Sequence, residues 1–79
     1  MRLDIYSLKG IIYEGEISSV NLATQAGEIT VLKNHRPLIS LLKKGKIKII
    51  DATGGRQELD ATGGFLEVTS HSLVKILLA

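Results

Sequence analysis

Gly27-Glu28-Ile29-Thr30-Val31-Leu32-Lys33-Asn34-His35-Arg36-Pro37-Leu38 joins an alternating apolar run to a polar turn and then to a second apolar run. In an extended segment Ile29 and Val31 share one face, because side chains alternate across a strand. Lys33 to Arg36 carries turn chemistry and positive charge, and Pro37 withdraws one backbone donor before the chain resumes at Leu38. The stretch therefore predicts strand, exposed loop, strand. A solvated connection is the plain reading of such a loop, and a surface for meeting a partner is the sharper one.

Working outward, the same two-residue period recurs. Leu3 and Ile5 alternate with Asp4 and Tyr6, giving a first strand to Ser7 that Lys9-Gly10 turns. Ile11 to Tyr13 reads as a short second strand ended by a Glu14-Gly15 turn, and Glu16 to Ala23 as a longer third. Ile17 and Val20 lie on opposite parities, so burying both requires a bulge near Ser18-Ser19. Pro37 to Leu42 fits a helical face, with proline at its first turn and Leu38, Leu41 and Leu42 on one side, as well as an extended run, and is read as strand. Lys46-Ile47-Lys48-Ile49 alternates strictly, isoleucines in and lysines out. Gly54-Gly55 predicts a hairpin with positive φ before Gln57 to Ala61, and Phe65–Thr69 and Leu73–Leu78 are the last extended runs. Strands at this spacing predict an all-β sandwich or small barrel.

The chain has 79 residues and no cysteine, so no disulfide staples this small core. An interaction module is expected before an enzyme, since a partner contributes much to so small a domain. A net charge of +2 is too small to mark a nucleic-acid binder. The lysines at 43, 44, 46 and 48 form a basic edge, read as protection of an edge strand, and Tyr6, Tyr13 and Phe65 are few stacking platforms for an oligonucleotide. The N-terminus lacks a signal-peptide core and no run is long enough to span a bilayer, so the chain is expected to face the cytosol.

Asp51-Ala52-Thr53-Gly54-Gly55 recurs as Asp60-Ala61-Thr62-Gly63-Gly64. Neither copy continues into the lysine and hydroxyl step of a phosphate loop, so both are read as β-turns. His35 and His71 are read as turn residues, and no serine sits on a nucleophile elbow. No catalytic residue, metal site or cofactor site is expected.

Gly63-Gly64-Phe65-Leu66-Glu67-Val68, together with Gly27, Glu28, Ile29, Val31, Leu32, His35, Pro37 and Leu38, resembles the signature of the N-terminal β domain of the epsilon subunit of F-type rotary ATP synthases. Thr30, Lys33, Asn34 and Arg36 depart from that pattern. Leu3-Asp4-Ile5 with Ser7, Tyr13 to Glu16 and Ser19-Val20-Asn21 follow its order and spacing across the whole chain. The resemblance implies a single domain over residues 1–79, a flattened sandwich of two antiparallel sheets. It implies a non-catalytic central-stalk part of a proton-translocating synthase that links the gamma subunit to the ring of c subunits, peripheral to the cytoplasmic face of the coupling membrane, with no nucleic acid and no small-molecule substrate. Carried over by position, Ser7, His35 and Ser40 lie toward gamma, and Gly27 and Glu28 toward the ring. Family members usually continue into a helical hairpin that restrains hydrolysis; the expectation here is a chain without that brake. The other class of function is a stand-alone β-sandwich binding module for a protein or oligonucleotide.

Overall fold

A computed structural model describes residues 1–79 as eight strands and no helix. These are β1 (Arg2–Ser7), β2 (Gly10–Thr24), β3 (Gly27–Leu32), β4 (Leu38–Leu42), β5 (Gly45–Asp51), β6 (Arg56–Ala61), β7 (Gly64–Val68) and β8 (Leu73–Leu78). Hydrogen bonding runs β1-β8-β7-β4-β2-β5-β6, the β4–β2 step being the one pair Leu42–Thr24, with β3 on β2 and a further β1–β2 pairing. The result is a sandwich. One layer is β4-β7-β8-β1 with the first half of β2; the other is β3, the second half of β2, β5 and β6.

β2 is what joins the layers. Its first half pairs with β1 from Gly10 to Glu16, and its second half pairs with β3 and β5. The register on β5 slips between Ile17 and Ser19, as the parities of Ile17 and Val20 require, and both side chains are buried. The Glu14-Gly15 turn expected from sequence is absent. Gly15 instead sits in the ladder opposite Leu3, and the Tyr13 hydroxyl lies 3.5 Å and its ring 3.7 Å from where a Gly15 side chain would begin. The glycine packs against Tyr13 at ordinary contact distance and does not interrupt the strand.

The core is one cluster contributed by both layers. Leu3, Ile5, Leu42, Leu66, Val68, Val74 and Ile76 meet Ile17, Val20, Leu22, Val31, Ile47, Ile49 and Ala61. Every strand supplies its inward parity, and burial of this apolar surface is the main favourable term. Two sequence expectations need correction. The ladder is antiparallel except where β1 runs parallel to β8. β5, which carries Lys46 and Lys48, is paired on both sides, so those lysines guard no edge.

The repeated pentapeptides fold differently. Asp51 Oδ1 accepts from Thr53 N at 2.9 Å, Thr53 Oγ1 at 2.7 Å and Gly55 N at 2.9 Å, closing the β5–β6 hairpin with Gly54 at φ +91°. These bonds, led by the Thr53 hydroxyl, hold the Asp51 carboxyl below its ordinary value. In the second copy Asp60 instead accepts from Lys46 Nζ at 2.9 Å, and Thr62-Gly63 forms a bend from β6 to β7, which opens at Gly64, rather than a turn of the first kind.

Candidate functional site: an apolar face and its flanking turns

Consecutive apolar residues in a strand cannot all face the core, since neighbours point to opposite sides. Leu41-Leu42, Phe65-Leu66 and Ile76-Leu77 each send one member outward, and Ile11 and Ile12 are both exposed. The register places Leu41 opposite Phe65, Phe65 opposite Leu77, Leu77 beside Tyr6 and Tyr6 opposite Ile11. An apolar row thus crosses the outer face of the first layer from β4 to β2. Phe65 is 53% exposed, Leu41 50% and Ile11 60%, values out of keeping with residues of this size on a free surface. Leu8, fully exposed, joins Phe65 and Leu77 around a depression of about 220 Å³.

Beside this row lies a polar one, where Ile39 opposes Glu67, Glu67 opposes Lys75, Lys75 lies beside Asp4, and Asp4 opposes Glu14. Asp4 is buried although its strand parity faces outward. Arg2 Nε stands 3.0 Å from Asp4 Oδ1, and Arg2 Nη2 donates to Glu14 Oε2 at 3.0 Å, so one guanidinium serves two carboxylates. The Tyr6 hydroxyl donates to Asp4 Oδ2 at 3.3 Å; burial and the Asp4 charge both push the phenol upward. These contacts fix the Tyr6 ring at the centre of the apolar row.

The residues singled out from sequence are dispersed around this face. Ser7 ends β1; its Oγ accepts from Lys9 N at 3.1 Å, and it lines a shallow depression with Leu8 and Ala79. Ser40 points to the inner side of β4, the parity of Leu38 and Leu42, so the outward contacts of that strand belong to Ile39 and Leu41. His35 is half-buried in the β3–β4 turn, with its amide donating to Leu32 O at 3.0 Å and Nδ1 2.7 Å from the Arg36 carbonyl. Asn34 takes the left-handed conformation at φ +68°, which asparagine accepts more readily than most side chains. His35 precedes the Leu38 end of β4, whereas Ser7 follows Tyr6, which is in register with the Leu41 end. The two do not form one cluster.

Gly27 and Glu28 lie on the other layer. The turn before them is closed by buried Thr24, whose Oγ1 donates to Gly27 O at 2.8 Å and accepts from Ala26 N at 3.1 Å. It rests on the end of β4 through Gln25 N to Leu41 O at 2.9 Å and Lys43 N to Ala23 O at 3.0 Å. Glu28 Oε1 accepts from Asn21 Nδ2 at 3.3 Å. Sequence reasoning missed Leu41, Phe65, Leu77 and Ile11 as surface residues. The doubled apolar letters in their strands were the available signal.

No group of three histidine, cysteine or acidic side chains is placed to hold a metal ion. No helix is long and apolar enough to cross a membrane.

The family model of the ATP synthase delta/epsilon chain β-sandwich domain matches residues 1–78. The chain is 40% identical over 68 residues to the ATP synthase epsilon chain of Bordetella petrii, covering 86% of this chain and 48% of that one. It is 39% identical over 71 residues to the epsilon chain of Endomicrobium trichonymphae, covering 90% and 51%. The chain thus spans about half the length of the curated relatives it matches. Among solved structures, a chain of the Euglena gracilis mitochondrial ATP synthase superposes with a TM-score of 0.90 at 22% identity, over 96% of this chain and 48% of that one. One in the central stalk and c-ring of the Tetrahymena thermophila mitochondrial enzyme gives 0.80 at 15% identity, over 99% and 62%.

Proposed function

We infer that this chain, which belongs to the ATP synthase delta/epsilon chain β-sandwich family, is a non-catalytic part of the central stalk of a proton-translocating rotary ATP synthase. It links the gamma subunit to the c-ring and is held at the cytoplasmic face of the coupling membrane through those partners. The observation that carries this reading is the apolar row Leu41, Phe65, Leu77, Tyr6, Ile11 on the outer face of the first layer. A lone soluble domain has no use for it, whereas a subunit that stays seated on a shaft does.

Torque transmission asks for a stiff block, and a closed β sandwich supplies one with no reactive side chain. In this reading the apolar row seats on gamma, with Ser7 at one flank and His35 in the turn leading to β4. Ser40 contributes through the strand that presents Ile39 and Leu41. Gly27 and Glu28, held by the Thr24 turn against the end of β4, face the polar loops of the ring. Burying the remaining exposed half of Phe65 and of Leu41 offers about 0.8–1.5 kcal/mol each.

The test is co-purification of the tagged chain with gamma from gently solubilised membranes, comparing the native chain with Phe65→Glu and Leu41→Glu. Gamma recovery is expected to collapse in both variants while their thermal unfolding stays near that of the native chain. Undiminished recovery from both would overturn the assignment of this face.

A further inference from the structure

The outer face of the second layer carries a shallow polar groove of about 280 Å³ that the stalk reading leaves unused. Its walls come from four strands: Ser19 and Asn21 of β2, Thr30 of β3, Lys48 of β5, and Arg56 and Glu58 of β6. The register sets Thr30 opposite Asn21, Asn21 opposite Lys48, and Lys48 opposite Glu58. Ile50 stands between Ser19 and Arg56 in the next row. Lys48 and Arg56 are therefore diagonal neighbours across one strand pair, about 7–8 Å apart at the backbone.

The charges here are unevenly satisfied. Arg2 and Lys46 are committed to carboxylates within 3.0 Å, yet neither Lys48 nor Arg56 enters a salt bridge or a side-chain hydrogen bond. Asn21 Nδ2 spends its protons on Glu28 Oε1 at 3.3 Å and Thr30 Oγ1 at 2.8 Å. Thr30 Oγ1 is the acceptor there, which frees its own proton, and the Ser19 hydroxyl has no partner. Two cations and two hydroxyl donors thus line one concavity, and Glu58 is the sole carboxylate among its lining residues. Donors in excess around a cationic pair are the complement of a tetrahedral oxyanion.

We propose that this groove binds a small phosphate-bearing anion, with Arg56 and Lys48 gripping the phosphate oxygens and Ser19 and Thr30 donating from the facing strands. The concavity admits a single phosphate with a small substituent. Glu58 opposes the ligand's charge and sets a weak, millimolar affinity. The groove lies on the opposite layer from the apolar row, so its test does not depend on gamma, although its Asn21 is hydrogen-bonded to Glu28, which the stalk reading turns toward the ring.

The test is titration of the isotope-labelled 79-residue chain with inorganic phosphate and with glycerol 3-phosphate, followed by amide chemical shifts at constant ionic strength, with sodium chloride as the control. Saturable shifts at Ser19, Thr30, Lys48 and Arg56 are expected, and the tighter of the two ligands distinguishes free phosphate from a phosphate ester. Lys48→Gln and Arg56→Gln should each weaken binding about tenfold, the worth of one charge-assisted hydrogen bond. Glu58→Gln should tighten it several-fold. The amide spectrum of each variant reports directly that it remains folded. Shifts no larger than the chloride control, shifts centred on other lysines, or a Glu58→Gln variant that binds no better would each overturn the proposal.

Discussion

Replacing Gly64 with alanine should cost this domain a large share of its stability. Gly64 has φ +139°, a conformation that L side chains rarely adopt. A β-carbon built there would meet backbone atoms of β8, falling 3.0 Å from Leu77 C and 3.1 Å from Leu78 Cα, with the Leu77 carbonyl oxygen closer still. None of these is the free end of a side chain, so relief requires the first residue of β7 to part from the last residues of β8 at the end of their ladder. The backbone strain is about 1–2 kcal/mol and the forced displacement about 1–3 kcal/mol, together roughly 2–5 kcal/mol. A domain of this length is stable by only about 4–12 kcal/mol. Gly27→Ala is the matched control: φ is +117°, yet nothing lies within 4 Å of the added carbon, so only the backbone share applies. Urea unfolding followed by circular dichroism reads both. At about 4–8 °C per kcal/mol, Gly64→Ala should melt at least about 8 °C lower than the native protein. Equal losses for the two variants would refute the steric argument and leave positive φ as the whole reason for the glycine.

Leu66→Ala on β7 and Leu77→Ala on β8 change members of successive register pairs with opposite expectations: Leu66 is fully buried and should cost about 2–5 kcal/mol in urea unfolding, whereas half-exposed Leu77 should cost under about 1 kcal/mol yet weaken gamma recovery. Thr24→Val removes the hydroxyl that both donates to Gly27 O and accepts from Ala26 N in a buried site, and a loss of about 1–3 kcal/mol is expected by thermal unfolding. Asp51 has a folded-state pKa below its unfolded one, so its contribution is present above the ordinary value near 3.8 and is lost as pH falls through the folded value. The stability gap between the native chain and Asp51→Ala, measured by urea unfolding across pH, should therefore be widest at neutral pH and close below about pH 4.

The strands were legible wherever one face is buried and the other wet. Leu3/Ile5, Ile29/Val31 and Ile47/Ile49 state their period in a few residues, and each pair is inward-facing in the fold. The bulge at Ile17–Ser19 was legible for the same reason, since two apolar residues of opposite parity can be buried together only if the register slips. What local reading could not supply was partnership. Gly15 looks like a turn until Leu3 is found opposite it and Tyr13 over it, and the parallel pairing of β1 with β8 joins the two ends of the chain, for which no neighbouring residue carries a signal. The edge assigned to Lys46 and Lys48 failed likewise, because an edge is defined by the absence of a second partner and β6 supplies one.

The site was legible only as separate positions, and the reason lies in what each kind of residue does. Ser7, Glu28 and His35 stand out in the sequence as polar letters in turns, and in the fold each is engaged mainly with its own turn or neighbouring strand: Ser7 with Lys9, Glu28 with Asn21, His35 with Leu32 and Arg36. The residues that assemble into one continuous surface are the outward halves of apolar doublets, which a pattern search assigns to the core because hydrophobicity alone cannot tell the two faces of a strand apart. Parity separates them. Leu42 and Leu66 are buried, Leu41 and Phe65 are not, and the register then aligns the exposed members across strands. An apolar surface laid down at this regularity is costly to leave in water. In the proposed stalk role this outward face, like the inward one, is covered.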